Sequence, residues 1–320
     1  VLGQLRREMI EKLNACKPEF SEPIFFDHAL ESLRAENRSF KQSELFKQSE
    51  HFEQSEHFEQ LSSQSQNNRP TIHLLLRQIQ MFKDDLILQQ ILESGCRSFY
   101  AEFREMDEYV IAAQAVRRLK GEFVTVLPRI LKPGESAILK KFADLEPDAV
   151  LARNLEEIAF FRERKIPVIA DFSLNLINDL SFRQILDWGA ERVTFGWDLD
   201  EKQIEELLSF VHVTKIEQIV MGRIPLFMME HCLWRANLVK PDTPCHRLCR
   251  TRPLQLRDRR GAIHSVRSDL FCRNIVESAE LIDSETNSSK IQHFRIEWDQ
   301  QSNDSVPALC QKISSHLQGG

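Results

Sequence analysis

The chain has 320 residues, enough for one large domain or two modest ones, and its 42% hydrophobic content is ample for a buried core. A formal net charge of −6 excludes a protein that coats nucleic acid with its whole surface, though not one with a local basic patch. The longest clean apolar run, Ile224 to Met229, is far too short to span a bilayer, so no membrane span is expected.

The opening residues carry charge from Arg6 onward and lack the apolar core of a signal peptide, which points to the cytoplasm. Leu2, Leu5, Met9 and Leu13 follow a helical spacing, so residues 1–20 are expected to form an amphipathic helix. The chain starts without Met, and this helix is expected to join it to an N-terminal part of a longer protein. Residues 41–58 are three copies of a hexapeptide, KQSELF, KQSEHF and EQSEHF, running into the polar tract SSQSQNNRP. A six-residue period does not return Phe46, Phe52 and Phe58 to one helix face, and Gln, Ser and Glu disfavour a strand. Residues 21–69 therefore read as a low-complexity flexible linker.

From Pro70 the rhythm changes. β-rich runs recur at Thr71–Arg77, Ser98–Phe103, Phe123–Ile130, Ala149–Arg153, Pro167–Phe172, Arg192–Trp197, Gln218–Phe227 and His293–Trp298. Helical periodicity fills Glu105–Lys120, Asn154–Arg164, Ser181–Trp188, Asp200–Phe210 and Val306–Leu317. Strand followed by helix, repeated, implies a parallel sheet. Eight such strands without a Gly-rich phosphate loop favour an α/β fold of the (β/α)8 TIM-like barrel type over residues 70–320. A cysteine-rich insertion, 225–275, would sit between its last two strands.

Functional residues of such a barrel gather where strands give way to loops. Arg129 and Arg153 would then face one mouth and suit an anionic ligand, or else pair with Asp171 and Asp198 inside the barrel. Asp171, Asn175 and Asp198 are expected to shape the same pocket.

Cysteine placement is the most specific signal. Of seven cysteines, Cys16, Cys96 and Cys310 are scattered, whereas Cys232, Cys245, Cys249 and Cys272 crowd one segment. In a reducing compartment clustered cysteines are more often metal ligands than disulfides. Four thiolates suit a 4Fe–4S cluster or tetrahedral Zn²⁺, and spacing does not separate the two. The segment also holds eight arginines between Arg247 and Arg273 against Asp258 and Asp269. That surplus fits RNA contact, or compensation of the thiolates. There is no His-Glu-x-x-His and no Gly-x-Ser-x-Gly, so protease chemistry has weak local support.

Pro225-Leu-Phe-Met-Met-Glu-His-Cys232, Pro244-Cys-His-Arg-Leu-Cys249, Leu256-Arg-Asp-Arg-Arg-Gly261 and Cys272-Arg-Asn274 resemble the signature region of the collagenase-like peptidases of unknown catalytic type, peptidase family U32. Leu127–Glu135, Val150–Asn154, Asp171–Asn175 and His293–Glu297 resemble further blocks, so the likeness covers about 70 to 300. Despite the peptidase label, the resemblance implies an iron–sulfur protein that takes part in hydroxylating an RNA pyrimidine, with prephenate implicated. Members with a middle domain are similar to a factor acting on a cytidine of large-subunit ribosomal RNA. A peptidase, or a non-catalytic barrel that docks a partner, is the alternative. Cys232, Cys245, Cys249 and Cys272 match the family cysteines. Arg235 stands where many relatives have an extra cysteine, and Cys272 is followed by Arg-Asn-Ile rather than Arg-Asn-Thr.

Overall fold

A computed structural model describes residues 34–35, 70–211, 213–240, 242–283, 291–298 and 305–318. The expected N-terminal helix and nearly all of the expected linker lie outside these residues. Within the linker range, Arg34 and Ala35 are helical, and the Arg34 guanidinium lies 3.6 Å from Asp179 on the barrel.

Eight parallel strands close on themselves: β1 (Thr71–Leu76), β2 (Ser98–Ala101), β3 (Glu122–Val126), β4 (Ala149–Ala152), β5 (Val168–Ala170), β6 (Arg192–Thr194), β7 (Ile216–Gly222) and β13 (His293–Trp298). Neighbours pair in this order, β7 pairs with β13, and β13 returns to β1. This is a (β/α)8 barrel. Two-residue alternation divides its strands. Ile72, Leu74, Leu76, Phe99, Phe123, Val150 and Val168 pack outward against helices, while Leu75, Tyr100, Val124, Val126, Leu151 and Ile169 form a separate apolar cluster.

The outer helices are α1 (Ile79–Lys83), α2 (Asp85–Glu93), α3 (Met106–Arg118), α4 (Ala137–Ala143), α5 (Leu155–Glu163), α6 (Asp179–Asp187) and α7 (Glu201–Phe210). Local chemistry sets their starts. Asn154 accepts the Glu157 amide at the head of α5, and Asn178 with Ser181, then Asp200 with Gln203, form capping boxes on α6 and α7. Gly189, with φ +103°, ends α6; a Cβ there would fall 2.5 Å from Arg162 Cδ. The last helix, α9 (Val306–Gln318), packs against α2 and β1.

The run expected as one strand over Gln218–Phe227 is two. The barrel strand stops at Gly222, and after Arg223-Ile224 the chain leaves the barrel as β8 (Pro225–Met229). With β9 (Leu254–Arg257), β10 (Ile263–Ser268) and β11 (Asn274–Glu277) it makes a four-stranded antiparallel sheet in the order β8-β11-β10-β9. The short helix α8 (Leu233–Leu238) lies between β8 and β9. A two-residue strand, β12 (Ile282–Asp283), returns the chain to β7. The cysteine-rich insertion thus lies between the last two barrel strands and carries its own small core, Trp234, Val266 and Val276. No helix among the described residues is long and apolar enough to cross a membrane.

Candidate functional site: an arginine-lined cleft beside four thiols

Charged residues directly after β1, β2, β4 and β5, with two more inside β13, form a closed ring of alternating sign. Arg77 Nε donates to Glu102 at 2.6 Å, and Arg153 meets the same carboxylate at 2.5 Å. Arg153 Nε donates to Asp171 at 3.0 Å, and Asp171 accepts from Arg295 at 2.6 Å. Arg295 lies 3.3 Å from Glu297, whose other oxygen accepts from Arg77 at 2.7 Å. Three guanidinia and three carboxylates therefore balance around the mouth. Burial alone would raise the Glu102 carboxyl, but Arg153, Arg267 and Arg77 overcome it and hold the pKa well below the usual range. Beneath the ring, Arg295 also donates to Glu217, which accepts from Tyr100.

Three members of the ring, Arg77, Glu102 and Arg153, line the floor of a cleft of about 1300 Å³. Met228, Ser265, Arg267, Ile275 and Glu277 of the inserted sheet roof it, and Arg104, Pro128, Arg129 and Cys249 line its sides. Arg267 ties roof to floor, donating to Glu277 at 2.6 Å and reaching Glu102 at 3.1 Å.

The residues expected to bind an anion separate here. Arg153 and Asp171 are members of the ring, so the pairing of Arg153 with Asp171 occurs, but none with Asp198 does. Arg129 lines the cleft and makes no hydrogen bond or ion pair among the described residues. Its pKa is lowered by burial and by the neighbouring Arg153 and Arg267. Asn175, in the left-handed conformation with φ 54°, and Asp198 are both exposed and do not line the cleft, so neither shapes this pocket. They follow β5 and β6, whereas the cleft lies over the loops after β1 to β4. Arg77, Glu102, Arg104, Arg295 and Glu297 were not singled out from sequence. Arg77 and Glu102 directly follow an apolar strand, whereas Arg295 and Glu297 lie within β13 and Arg104 three residues past β2.

The four cysteines gather at one end of the inserted sheet. Met229 pairs with Asn274, which puts Cys232, after β8, and Cys272, before β11, at the same edge. Cys232 and Cys249 pack on the Trp234 core. The Cys272 thiol is pushed up by burial and by neighbouring Cys249, Cys232 and Cys245, with Arg247 opposing. The loops are shaped around sulfur: the Arg247 amide donates to Cys245 Sγ at 3.3 Å, and His246, Arg247 and Cys272 take positive φ. Among the described residues no group of three or more His, Cys, Asp or Glu stands in metal-holding geometry, so the expected four-sulfur coordination is not assembled. The thiols are gathered without being closed on one point. As a donor set, four cysteines with an amide-to-sulfur hydrogen bond fit a thiolate-held metal.

Four of the eight segment arginines dock the insertion on the barrel. Arg247 pairs with Glu105 at 2.5 Å, and Arg250 with Glu108 at 3.2 Å. Buried Arg273 donates to Glu135 and Glu230, each at 2.6 Å, and to the Ile130 carbonyl at 3.0 Å. Arg267 holds Glu102. The remaining four, Arg252, Arg257, Arg259 and Arg260, are exposed, with Arg259 and Arg260 in the β9–β10 turn.

No protein-family model matches the chain, and no curated protein matches it. Solved structures resemble it at low identity. A structure described as a U32 peptidase is 8% identical, with a TM-score of 0.45 over 72% of this chain and 93% of that one. A tryptophan synthase structure from M. tuberculosis is 10% identical, with a TM-score of 0.46 over 81% and 96% of the two chains. The tryptophan synthase alpha chain of Legionella pneumophila is 7% identical, also at 0.46, over 81% and 95%.

Proposed function

We propose that this chain is an iron–sulfur protein of the collagenase-like peptidase type that takes part in hydroxylating an RNA pyrimidine. One observation carries the reading: Cys249 belongs to the gathered thiols and also to the wall of the arginine-lined cleft. A purely structural zinc site is closed to ligands, whereas a centre that borders a pocket is placed to act on what the pocket holds. Cys232, Cys245, Cys249 and Cys272 are the proposed holders of a 4Fe–4S cluster, with zinc as the alternative metal. A cluster of this type supplies one-electron transfer when bound.

The chain's own residues divide the remaining work. Arg129, half-buried and without a carboxylate partner among the described residues, is the proposed anchor for a small carboxylate of the prephenate kind. The ring of Arg77, Glu102, Arg153, Asp171, Arg295 and Glu297 holds the floor rigid beneath it. Exposed Arg252, Arg257, Arg259 and Arg260 offer guanidinia to an RNA backbone, which positions the substrate without reading its sequence. The N-terminal part of the same protein is a further proposed partner, and the cytoplasm the proposed location.

The test is RNA mass spectrometry in cells that carry the wild-type protein or its Cys245→Ala variant. Loss of one hydroxylated pyrimidine in the variant supports the reading. Full modification with all four cysteines replaced by alanine overturns it. Proteolysis by purified protein that survives chelation would move the assignment to the peptidase alternative.

A further inference from the structure

Arg104 belongs to neither the ion ring nor the salt bridges that dock the insertion. It follows β2, and its side chain crosses to the inserted segment. Nη1 donates to the carbonyl of Cys249 at 2.6 Å and Nε to that of Ser268 at 3.3 Å. The Arg104 carbonyl in turn accepts from Arg247 at 3.2 Å, so this residue and the cysteine loop hold each other by both backbone and side chain.

Unlike Arg153, Arg267 and Arg273, it makes no ion pair with a carboxylate among the described residues. Its guanidinium is held instead by those two backbone carbonyls. A partly buried guanidinium without an ion-pair partner is stabilised when an anion approaches it. Two places for an anion adjoin it: the cysteine segment, whose Cys249 carbonyl it holds, and the cleft that Arg104 and Arg129 both line.

We propose that Arg104 is an electrostatic bridge, compensating the negative charge of the cysteine centre and binding a small oxyanion in the adjoining cleft. This rests on the functional reading above as regards the centre, but its anion-binding half stands on the cleft alone. A cation so close to a redox centre favours the reduced form, so removing it moves the midpoint potential to a more negative value. A cation so placed also contributes a charge-assisted hydrogen bond to an oxyanion. Arg104 is thus a positioning residue for the centre and a binding residue for the ligand.

The experiment uses the whole chain, purified without oxygen, as wild type, Arg104→Gln, Arg104→Lys and, as a cleft control, Arg129→Gln. Metal content, midpoint potential and the dissociation constant for inorganic phosphate are measured for each. The expected result is wild-type metal content in Arg104→Gln, a more negative potential, and phosphate binding weakened by about tenfold. Arg104→Lys should recover much of the potential, because it keeps the charge. Arg129→Gln should weaken phosphate binding and leave the potential in place. Wild-type potential and phosphate affinity in Arg104→Gln overturn the proposal. If Arg104→Gln does not fold, Arg104→Lys decides, since its altered hydrogen bonding still weakens phosphate if the contact exists. If the wild-type chain carries no iron, the functional reading falls separately. Phosphate affinity then decides the role of Arg104, with loss supporting it and no change refuting it.

Discussion

Arg267, on the central strand β10 of the inserted sheet, reaches 3.1 Å to Glu102 at the end of barrel strand β2. Glu102 already accepts from Arg77 and Arg153, so one carboxylate joins the floor of the cleft to its roof. Removing it leaves three guanidinia without their shared counter-ion. Glu102→Ala is therefore expected to destabilise the fold by about 3–5 kcal/mol in chemical denaturation. Arg267→Met should cost less, because Glu102 keeps two partners. A double-mutant cycle between the two positions should show coupling, whereas additive losses would mean that the contact does not join the two parts.

Glu157 sets a pH dependence. Its side chain is fully buried in α5, where one oxygen accepts from the Arg153 amide at 2.6 Å and the other has no hydrogen-bond partner among the described residues. Burial dominates these hydrogen bonds and pushes its pKa up from 4.5 to about 8. A raised folded-state value contributes stability that is complete below the unfolded pKa and is lost as pH rises through the folded one. Stability should accordingly decline between about pH 4.5 and pH 8, by at most about 1.4 kcal/mol per pH unit from this group. Glu157→Gln should flatten that decline. An unchanged profile in urea titrations across this range would show that Glu157 is not the cause.

Glu102 acts in the opposite sense. Its folded pKa is depressed, so its contribution is present above the ordinary glutamate pKa and fades as pH falls from there through the folded value. Acid should therefore loosen the contact between insertion and barrel, and Glu102→Gln should remove that acid sensitivity. Hydrogen exchange in β10 and β11, measured against pH, checks this.

Arg273 anchors the other side of the insertion. It is 1% exposed and spans Glu135, Glu230 and the Ile130 carbonyl. Arg273→Ala should destabilise by about 1–3 kcal/mol and speed proteolysis within 225–275 while sparing the barrel strands. Uniform acceleration across the chain would contradict local docking.

All eight barrel strands were legible because each is a short apolar run in a fixed order with helices. Val168–Ala170 and Arg192–Thr194 were visible even at three residues each, since flanking helical periodicity framed them. Helices α1, α2 and α4 were not read: Ile79–Lys83 and Ala137–Ala143 are too short for a clear period, and Asp84 caps α2 so soon after α1 that the two merge. The inserted sheet was hidden because Leu254–Arg257 and Ile263–Ser268 hold only two apolar residues each among polar and charged ones, as an exposed loop also does. The cysteines could be grouped from spacing. The ion ring could not, because pairs such as Arg77 with Glu297 are far apart in sequence and meet only when the barrel closes.

The central claim is that the four cysteines hold a redox cluster at the edge of the cleft. Anaerobic purification followed by iron, sulfide and zinc analysis tests it most directly. About four irons and about four sulfides per chain are expected, lost together in Cys272→Ala. Zinc without iron, or iron that persists when Cys232, Cys245, Cys249 and Cys272 are all replaced, would contradict it.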